Sequence, residues 1–295
     1  MQDNSKNLNS KLILGTVQLG LNYGINNKQG KPLKKKSYKI LEYAHRQGIC
    51  TLDTADAYGD SISTIGSFHK KFNSKFNIAT KFKSVSDEIH LSQWLEHSLQ
   101  RLKVNQLEIC SFHSINDYFN NSKLLDELAV LQLQGLVKHI GISIYTNEDF
   151  EKVLEDERIN VIQLPFNLLD NENMRGSLIR KAKAKSKIIH IRSVFLQGLF
   201  FMNLDNLPIK LKPLYNYLNL LQTLCNDLSI SMESLALGYV YQNPCIDGVI
   251  VGVDTIAQLQ SNIKALSYHL PQNIIEEVNK IVVSSPELLS PINWS

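Results

Sequence analysis

Eight short apolar runs, each followed by a stretch with helical periodicity, constrain this 295-residue chain more than any single motif. The runs fall at 12–16, 49–53, 76–80, 107–112, 139–143, 161–164, 188–191 and 248–252. Most are rich in Ile, Val and Leu at consecutive positions, the pattern of strands covered on both faces. Between them, apolar residues recur at helical spacing, as with Tyr38, Leu41 and Ala44, or Leu91, Leu95, Leu99 and Leu102. The spacing predicts helices over 34–47, 61–71, 91–102, 122–134, 148–154, 172–185, 214–226, 231–242 and 255–266, the last of these being the final regular one. A longer insertion is read at about 195–215. Strict βα alternation implies a parallel sheet with right-handed crossovers. Eight units within about 260 residues favour an α/β fold closed as a single-domain (β/α)8 TIM barrel. An open doubly wound sheet would show Gly-x-Gly-x-x-Gly after the first strand, and Gly15-Thr16-Val17-Gln18-Leu19-Gly20 lacks the central glycine.

The barrel is expected to occupy 11–283, with 1–10 a flexible tail and 284–295 a C-terminal tail. The formal charge of +3 is spread out. Its densest basic spots, at 34–36, 70–71 and 181–187, lack interleaved aromatic residues and read as solvated helix faces, so no nucleic-acid partner is expected. Cys50, Cys110, Cys225 and Cys245 form no CxxC pair and no zinc-ligand spacing, so no metal is expected. Cys50 and Cys110 lie in apolar runs as small hydrophobes, which suits a reducing cytoplasm. No signal core and no bilayer-length apolar run is present, so no membrane association is expected.

Barrel geometry places function at the C-terminal ends of the strands. The polar residues there are Asp53 and Tyr58 after the second strand, Lys81 after the third, His113 after the fourth, Ser143, Gln163 and Arg192. A phenol has a reference pKa near 10, and a neighbouring ammonium pulls it down. A carboxylate keeps that ammonium charged and fixed, and a neutral imidazole can donate to a substrate oxygen. Such a set suits protonation of an oxygen that gains negative charge, as a carbonyl does under hydride attack.

Leu52-Asp53-Thr54-Ala55-Asp56-Ala57-Tyr58-Gly59, Ala79-Thr80-Lys81 and Phe112-His113 resemble the catalytic segments of the aldo-keto reductase superfamily. Gly141-Ile142-Ser143, Val161-Ile162-Gln163 and Ile250-Val251-Gly252 with Gln258 and Asn262 resemble its cofactor segments, in matching order over about 12–270. The resemblance implies a barrel binding NAD(P)H across its C-terminal face, with Tyr58 as general acid, Lys81 and Asp53 tuning it, and His113 orienting the carbonyl. It implies cofactor contacts at Gly15, Thr16, Ser143, Gln163, Arg192, Ser193, Gly252, Val253, Thr255, Gln258 and Asn262. NADPH is the family default. Asp254 stands where many relatives place a cation for the 2′-phosphate, and a carboxylate there leaves NADH open. Ile144 replaces an asparagine that contacts the carboxamide in many relatives. The implied substrate is a small carbonyl compound. The segments 14–25 and 195–199 resemble a bacterial branch associated with surface sugars, which points to a keto-sugar. The alternatives are a cofactor-binding sensor without turnover and a lyase using Lys81 as a Schiff base. Oligomeric state is not readable from the sequence.

Overall fold

The structure is a computed structural model that describes residues 9–82, 91–120 and 122–294. It is a closed barrel of parallel strands in sequence order. These are β1 (Leu12–Gly15), β2 (Thr51–Asp53), β3 (Asn77–Phe82), β4 (Leu107–Phe112), β5 (Val137–Ser143), β6 (Val161–Pro165), β7 (Ile188–Arg192) and β8 (Gly248–Gly252). The helices are α1 (Val17–Gly20), α2 (Lys34–Arg46), α3 (Ser61–Lys71), α4 (Leu91–Leu102), α5 (Ile115–Asn120), α6 (Ser122–Leu133), α7 (Asn147–Leu154), α8 (Glu172–Ala184), α9 (Tyr215–Asp227), α10 (Met232–Tyr241), α11 (Ile256–Ala265) and α12 (Gln272–Asn279). β8 closes on β1 with Leu14 opposite Val251 and Gly15 opposite Gly252.

Two boundaries differ from the sequence reading in ways that matter to the site. β3 runs on through Lys81 to Phe82, paired with Ser111 and Phe112, so Lys81 belongs to the strand and does not follow it. β7 likewise includes Arg192, opposite Pro165. Charged residues ended those runs on paper, but their side chains point into the barrel mouth. The helix at 255–266 is not the last: α12 follows, starting after Pro271 and burying Ile274 and Val278 one turn apart. It is short, with only Ile274, Ile275 and Val278 apolar among its eight residues. The insertion after β7 forms three 3₁₀ turns at Leu196–Phe201, Leu204–Asn206 and Ile209–Leu214.

Of the segment expected as an N-terminal tail, residues 1–8 lie outside the described residues. Asn9 is buried and its Nδ2 donates to the Gln47 carbonyl at 2.7 Å. Towards the C-terminus, Leu288 and Leu289 are buried and the Trp294 indole donates to the Leu288 carbonyl at 2.8 Å.

The main core lies between the barrel and its helices, where Phe68, Phe82, Phe112, Phe150 and Phe166 are all buried. A tight contact sets the spacing of α3 and α4. A Cβ at Gly66 would come within 1.8 Å of the Arg101 carbonyl oxygen, so only glycine fits. Inside the barrel sits a separate small cluster of Ala79, Ile109 and Val161, with Ile188 against it. His190 lies above it, in space that Gly248 leaves open, since a Cβ there would meet the imidazole at 2.5 Å.

Burial above all pushes the His190 pKa down from 6.5 to about 4, against the pull of Asp53 and Asp247. Below 6.5 the unfolded chain takes up a proton that folded His190 refuses until about 4, so stability falls as pH drops through that window. The full effect is about 3 kcal/mol, at about 1.4 kcal/mol per pKa unit. Urea unfolding of wild type and His190→Gln at both ends of this window should show a smaller acid loss in the variant. Equal losses would contradict this reading of His190.

Candidate active site

Side chains alternate along a strand, so residues two apart share a face. Two steps beyond the interior residues Ala79, Ile109, Val161 and Ile188 lie Lys81, Ser111, Gln163 and His190. Two more steps reach Arg192 at the end of β7 and His113, which directly follows β4. Period-two geometry therefore stacks the polar residues in layers that rise to the barrel mouth.

The lowest of these layers holds a buried ion pair. Asp53 is 4% exposed and Lys81 2%. Lys81 Nζ donates to both Asp53 oxygens, at 2.8 and 2.7 Å, and to the Thr54 carbonyl at 3.3 Å. Gln163 Nε2 donates to Asp53 Oδ2 at 2.9 Å. Burial works to lower the Lys81 pKa, but the charge and hydrogen bonds of Asp53, with Tyr58, outweigh it and the net direction is upward. Lys81 is a fixed cation and a poor nucleophile, which disfavours the Schiff-base alternative. The end of β2 is itself locked. Thr16 Oγ1 donates to the Asp53 carbonyl at 2.8 Å and accepts from Ser61 Oγ at 2.7 Å.

Tyr58 hangs from the loop between β2 and α3. Its carbonyl accepts from the Ser61 amide at 3.0 Å, and Gly59 turns the chain with φ of 52°. A Cβ at Gly20 would come within 1.7 Å of the Tyr58 carbonyl oxygen, so that close approach needs glycine. The Lys81 ammonium lies 5.4 Å from the Tyr58 ring centroid. The expectation that Lys81 brings the phenol down meets a larger opposing effect. Burial pushes the Tyr58 pKa up, Lys81 and Arg192 pull it back only in part, and Asp53 adds to the rise. Asp56 accepts from the Trp94 indole, and Asp60 precedes α3.

These residues open onto a cleft of about 580 Å³ at the C-terminal ends of the strands. Asp53, Tyr58, Lys81 and His113 all line it, as do Gly15, Thr16, Ser143, Gln163, Arg192, Ser193, Gly252, Val253, Gln258 and Asn262. Thr255 does not. It caps α11, accepting from the Gln258 amide at 3.2 Å, while Gln258 Oε1 accepts from the Thr255 and Asp254 amides. Asp254 lines the cleft and accepts from Asn27 Nδ2 at 3.1 Å. Ile144 is fully buried, and its carbonyl accepts from Arg192 Nη2 at 3.2 Å.

Several lining residues went unread in the sequence. Gln18 covers Gly252 so closely that a Cβ there would meet Gln18 Oε1 at 2.2 Å. Tyr145, Asn27, Glu233 and Ile292 also line the wall. They come from loops and from α10, and no local pattern marks them. The donors and acceptors present fit a nicotinamide dinucleotide. Gln163 Oε1 and Gln18 Oε1 are each buried without a partner, and both residues line the cleft. Ser143, 3% exposed, stands beside Gln163 on the neighbouring strand. The Ser143 hydroxyl and the Gln163 amide match a carboxamide, which both donates and accepts. Among the described residues no His, Cys, Asp and Glu cluster could hold a metal ion, and no helix is long and apolar enough to cross a membrane.

A closed parallel barrel with a polar cleft at its C-terminal mouth defines the class as a TIM-barrel protein. Residues 11–283 match the aldo/keto reductase family, and the chain belongs to it, as an NAD(P)H-dependent carbonyl oxidoreductase. An uncharacterized oxidoreductase of Schizosaccharomyces pombe is 24% identical over 258 residues, 84% of this chain and 79% of that protein. By structure, the holo form of an aldo-keto reductase from Bacillus halodurans matches 92% of each chain with a TM-score of 0.73 at 19% identity. A glycerol dehydrogenase from Gluconobacter oxydans matches 97% of this chain and 94% of its own with a TM-score of 0.74 at 18% identity. At such identities the structural likeness speaks for the fold.

The buried pair carries a stability test. Lys81→Met leaves the Asp53 carboxylate buried without its ammonium and should cost about 3–5 kcal/mol. The double variant with Asp53→Asn should recover part of that loss in urea unfolding. A Lys81→Met protein as stable as wild type would contradict the ion-pair account.

Proposed function

We infer that the protein interconverts an aldehyde or ketone with its alcohol, with Tyr58 as the proton donor in the reducing direction. The observation that carries this reading is the meeting of Tyr58, Lys81, Asp53 and His113 on one cleft wall, with the ammonium 5.4 Å from the phenol ring. When bound, the nicotinamide supplies the hydride that reaches the carbonyl carbon. Ser143 and Gln163 hold its carboxamide, using the hydroxyl and the unpartnered Gln163 Oε1. His113 donates to the substrate oxygen and fixes its position. Tyr58 gives its proton to that oxygen as negative charge builds there, and Lys81 stabilises the phenolate left behind. Asp53 keeps Lys81 in place and charged throughout.

Substrate and cofactor follow from the cleft walls. Tyr23, Tyr145 and Phe201 offer flat apolar faces, and Tyr23 and Tyr145 add hydroxyls, which suits a polyhydroxylated carbonyl compound such as a keto-sugar. Where Asp254, Glu233, Gln258 and Asn262 line the cleft, two carboxylates stand near the proposed adenosine end. The lysine and arginine of the described lining, Lys81 and Arg192, belong instead to the catalytic layer and the β5–β7 rim. Carboxylates repel a 2′-phosphate, so this lining favours NADH over the family default of NADPH. The four cysteines are free, which agrees with a cytoplasmic setting.

Tyr58→Phe should abolish turnover on a panel of small aldehydes and ketones while dinucleotide affinity is retained. Undiminished turnover would remove Tyr58 from its role. The raised phenol pKa also sets a sign. The proton-donating form persists as pH rises, so kcat/KM for reduction should stay level to about pH 10 and fall only beyond it. A fall centred well below that would contradict the assignment. In separate fluorescence titrations NADH should bind at least about tenfold tighter than NADPH, or about 1.4 kcal/mol. Tighter NADPH binding would overturn the reading of Asp254 and Glu233.

A further inference from the structure

Of the lysine and arginine side chains lining the described cleft, Lys81 is the main cation acting on Tyr58 and Arg192 adds only a smaller pull. Its position is nonetheless built. Arg192 Nη2 donates to the Ile144 carbonyl at 3.2 Å and Nη1 to Ser193 Oγ at 3.4 Å. The guanidinium carbon sits 4.2 Å from the centroid of the Tyr145 ring. Tyr145 is held in turn, because Arg175 Nη2 donates to its carbonyl at 2.8 Å. Arg175 is itself buried in a two-point pair with Asp170, at 2.6 and 2.9 Å. The guanidinium thus reaches from β7 to the loop after β5, across the end of β6 that lies between them. Gln163 on β6, with its unpartnered Oε1, stands there beside Ser143. A carboxamide held by those two residues leaves its pyridine ring against this rim. The inference therefore rests on the nicotinamide reading of the cleft.

We propose that Arg192 sets the redox poise of the bound nicotinamide, holding the neutral reduced form more tightly than the cationic oxidised form. The oxidised ring carries one positive charge; taking up a hydride, two electrons with one proton, removes it. A guanidinium stays protonated at any working pH and cannot relax away from a second cation by losing its charge. In a partly enclosed cleft the repulsion is stronger than in water. Lysine keeps the charge but lacks the flat face, so comparing Arg192→Lys with Arg192→Met separates the charge from stacking. Charge beside a cofactor's reactive ring is a general means of tuning it. By linkage, tighter holding of the reduced form makes the bound couple a stronger oxidant and draws the equilibrium on the enzyme toward hydride acceptance.

The test compares wild type, Arg192→Met and Arg192→Lys by calorimetric titration with NAD+ and with NADH, each variant first checked for a cooperative thermal transition. Wild type should bind NADH about tenfold tighter than NAD+. Arg192→Met should reduce that ratio by about tenfold, equivalent to about 1.4 kcal/mol, whereas Arg192→Lys, which keeps the charge, should preserve it. Arg192→Gln serves the same comparison if the Met variant does not fold. A ratio unchanged in the neutral variant, with both affinities falling together, would make Arg192 a stacking surface only and overturn the proposal. Unchanged dinucleotide affinities with a raised KM for glyoxylate would make it a substrate anion anchor, which also overturns it. Failure of wild type to bind NAD(H) and, in parallel titrations, NADP(H) would remove the nicotinamide reading and this inference together. A ratio independent of Arg192 removes only the inference.

Discussion

An ammonium can sit almost wholly out of water inside a barrel only if a carboxylate meets it there, and the contact between Lys81 and Asp53 does this at 2.8 and 2.7 Å. Much of the catalytic layer is arranged around that pair. Gln163 Nε2 donates to Asp53, and its carbonyl oxygen is left buried without a partner. Thr16 and Ser61 fasten the backbone of Asp53 from β1 and α3. On the proposed reading, the residues that neutralise Lys81 also position Tyr58 and the carboxamide site, so a change at Asp53 would touch folding, proton donation and cofactor binding at once.

The rim above that layer is held differently. After β7 the chain takes left-handed backbone at Ser193, Leu196 and Gln197, none of them glycine, a conformation that costs about 1 kcal/mol or more per residue. It is kept there by Asn167 on the Ser193 carbonyl and by the Ile25 amide on the Gln197 carbonyl. Gln197 Nε2 in turn donates to the Tyr23 hydroxyl at 2.9 Å. The loops after β1 and β7 therefore brace each other over the cleft, and Asn27 ties the first of them to Asp254 after β8. Strain at the mouth is balanced by cross-loop hydrogen bonds together with the burial of Val194, Leu196 and Leu199 in the main core.

Much of this was readable in the sequence because a parallel barrel writes itself as repeated apolar runs with polar residues at their ends. Asp53, Lys81, His113, Ser143, Gln163 and Arg192 share one parity along their strands, so finding the strands nearly finds the layer. What escaped has physical reasons. Lys81 and Arg192 looked like strand stops because local pattern does not show a charge satisfied from another strand. The direction of the Tyr58 shift depends on how deeply the ring is buried, a property of the loop's packing against Gly20. Glu233 reaches the cleft from α10 only because that helix packs on α11, where Ser261 donates to it at 3.1 Å. Thr255 has the spacing of a ligand residue, yet its hydroxyl is used by the capping box of its own helix.

The central claim is that this cleft passes hydride directly to a carbonyl carbon while Tyr58 meets the oxygen. Its most direct test is a single turnover of glyceraldehyde or another small carbonyl from the active panel, with NADH deuterated on the reactive face of C4 and the product read by NMR. The account predicts deuterium on the new carbinol carbon and none lost to water. Hydrogen from solvent at that carbon, or no reduction while NADH is demonstrably bound, would contradict it.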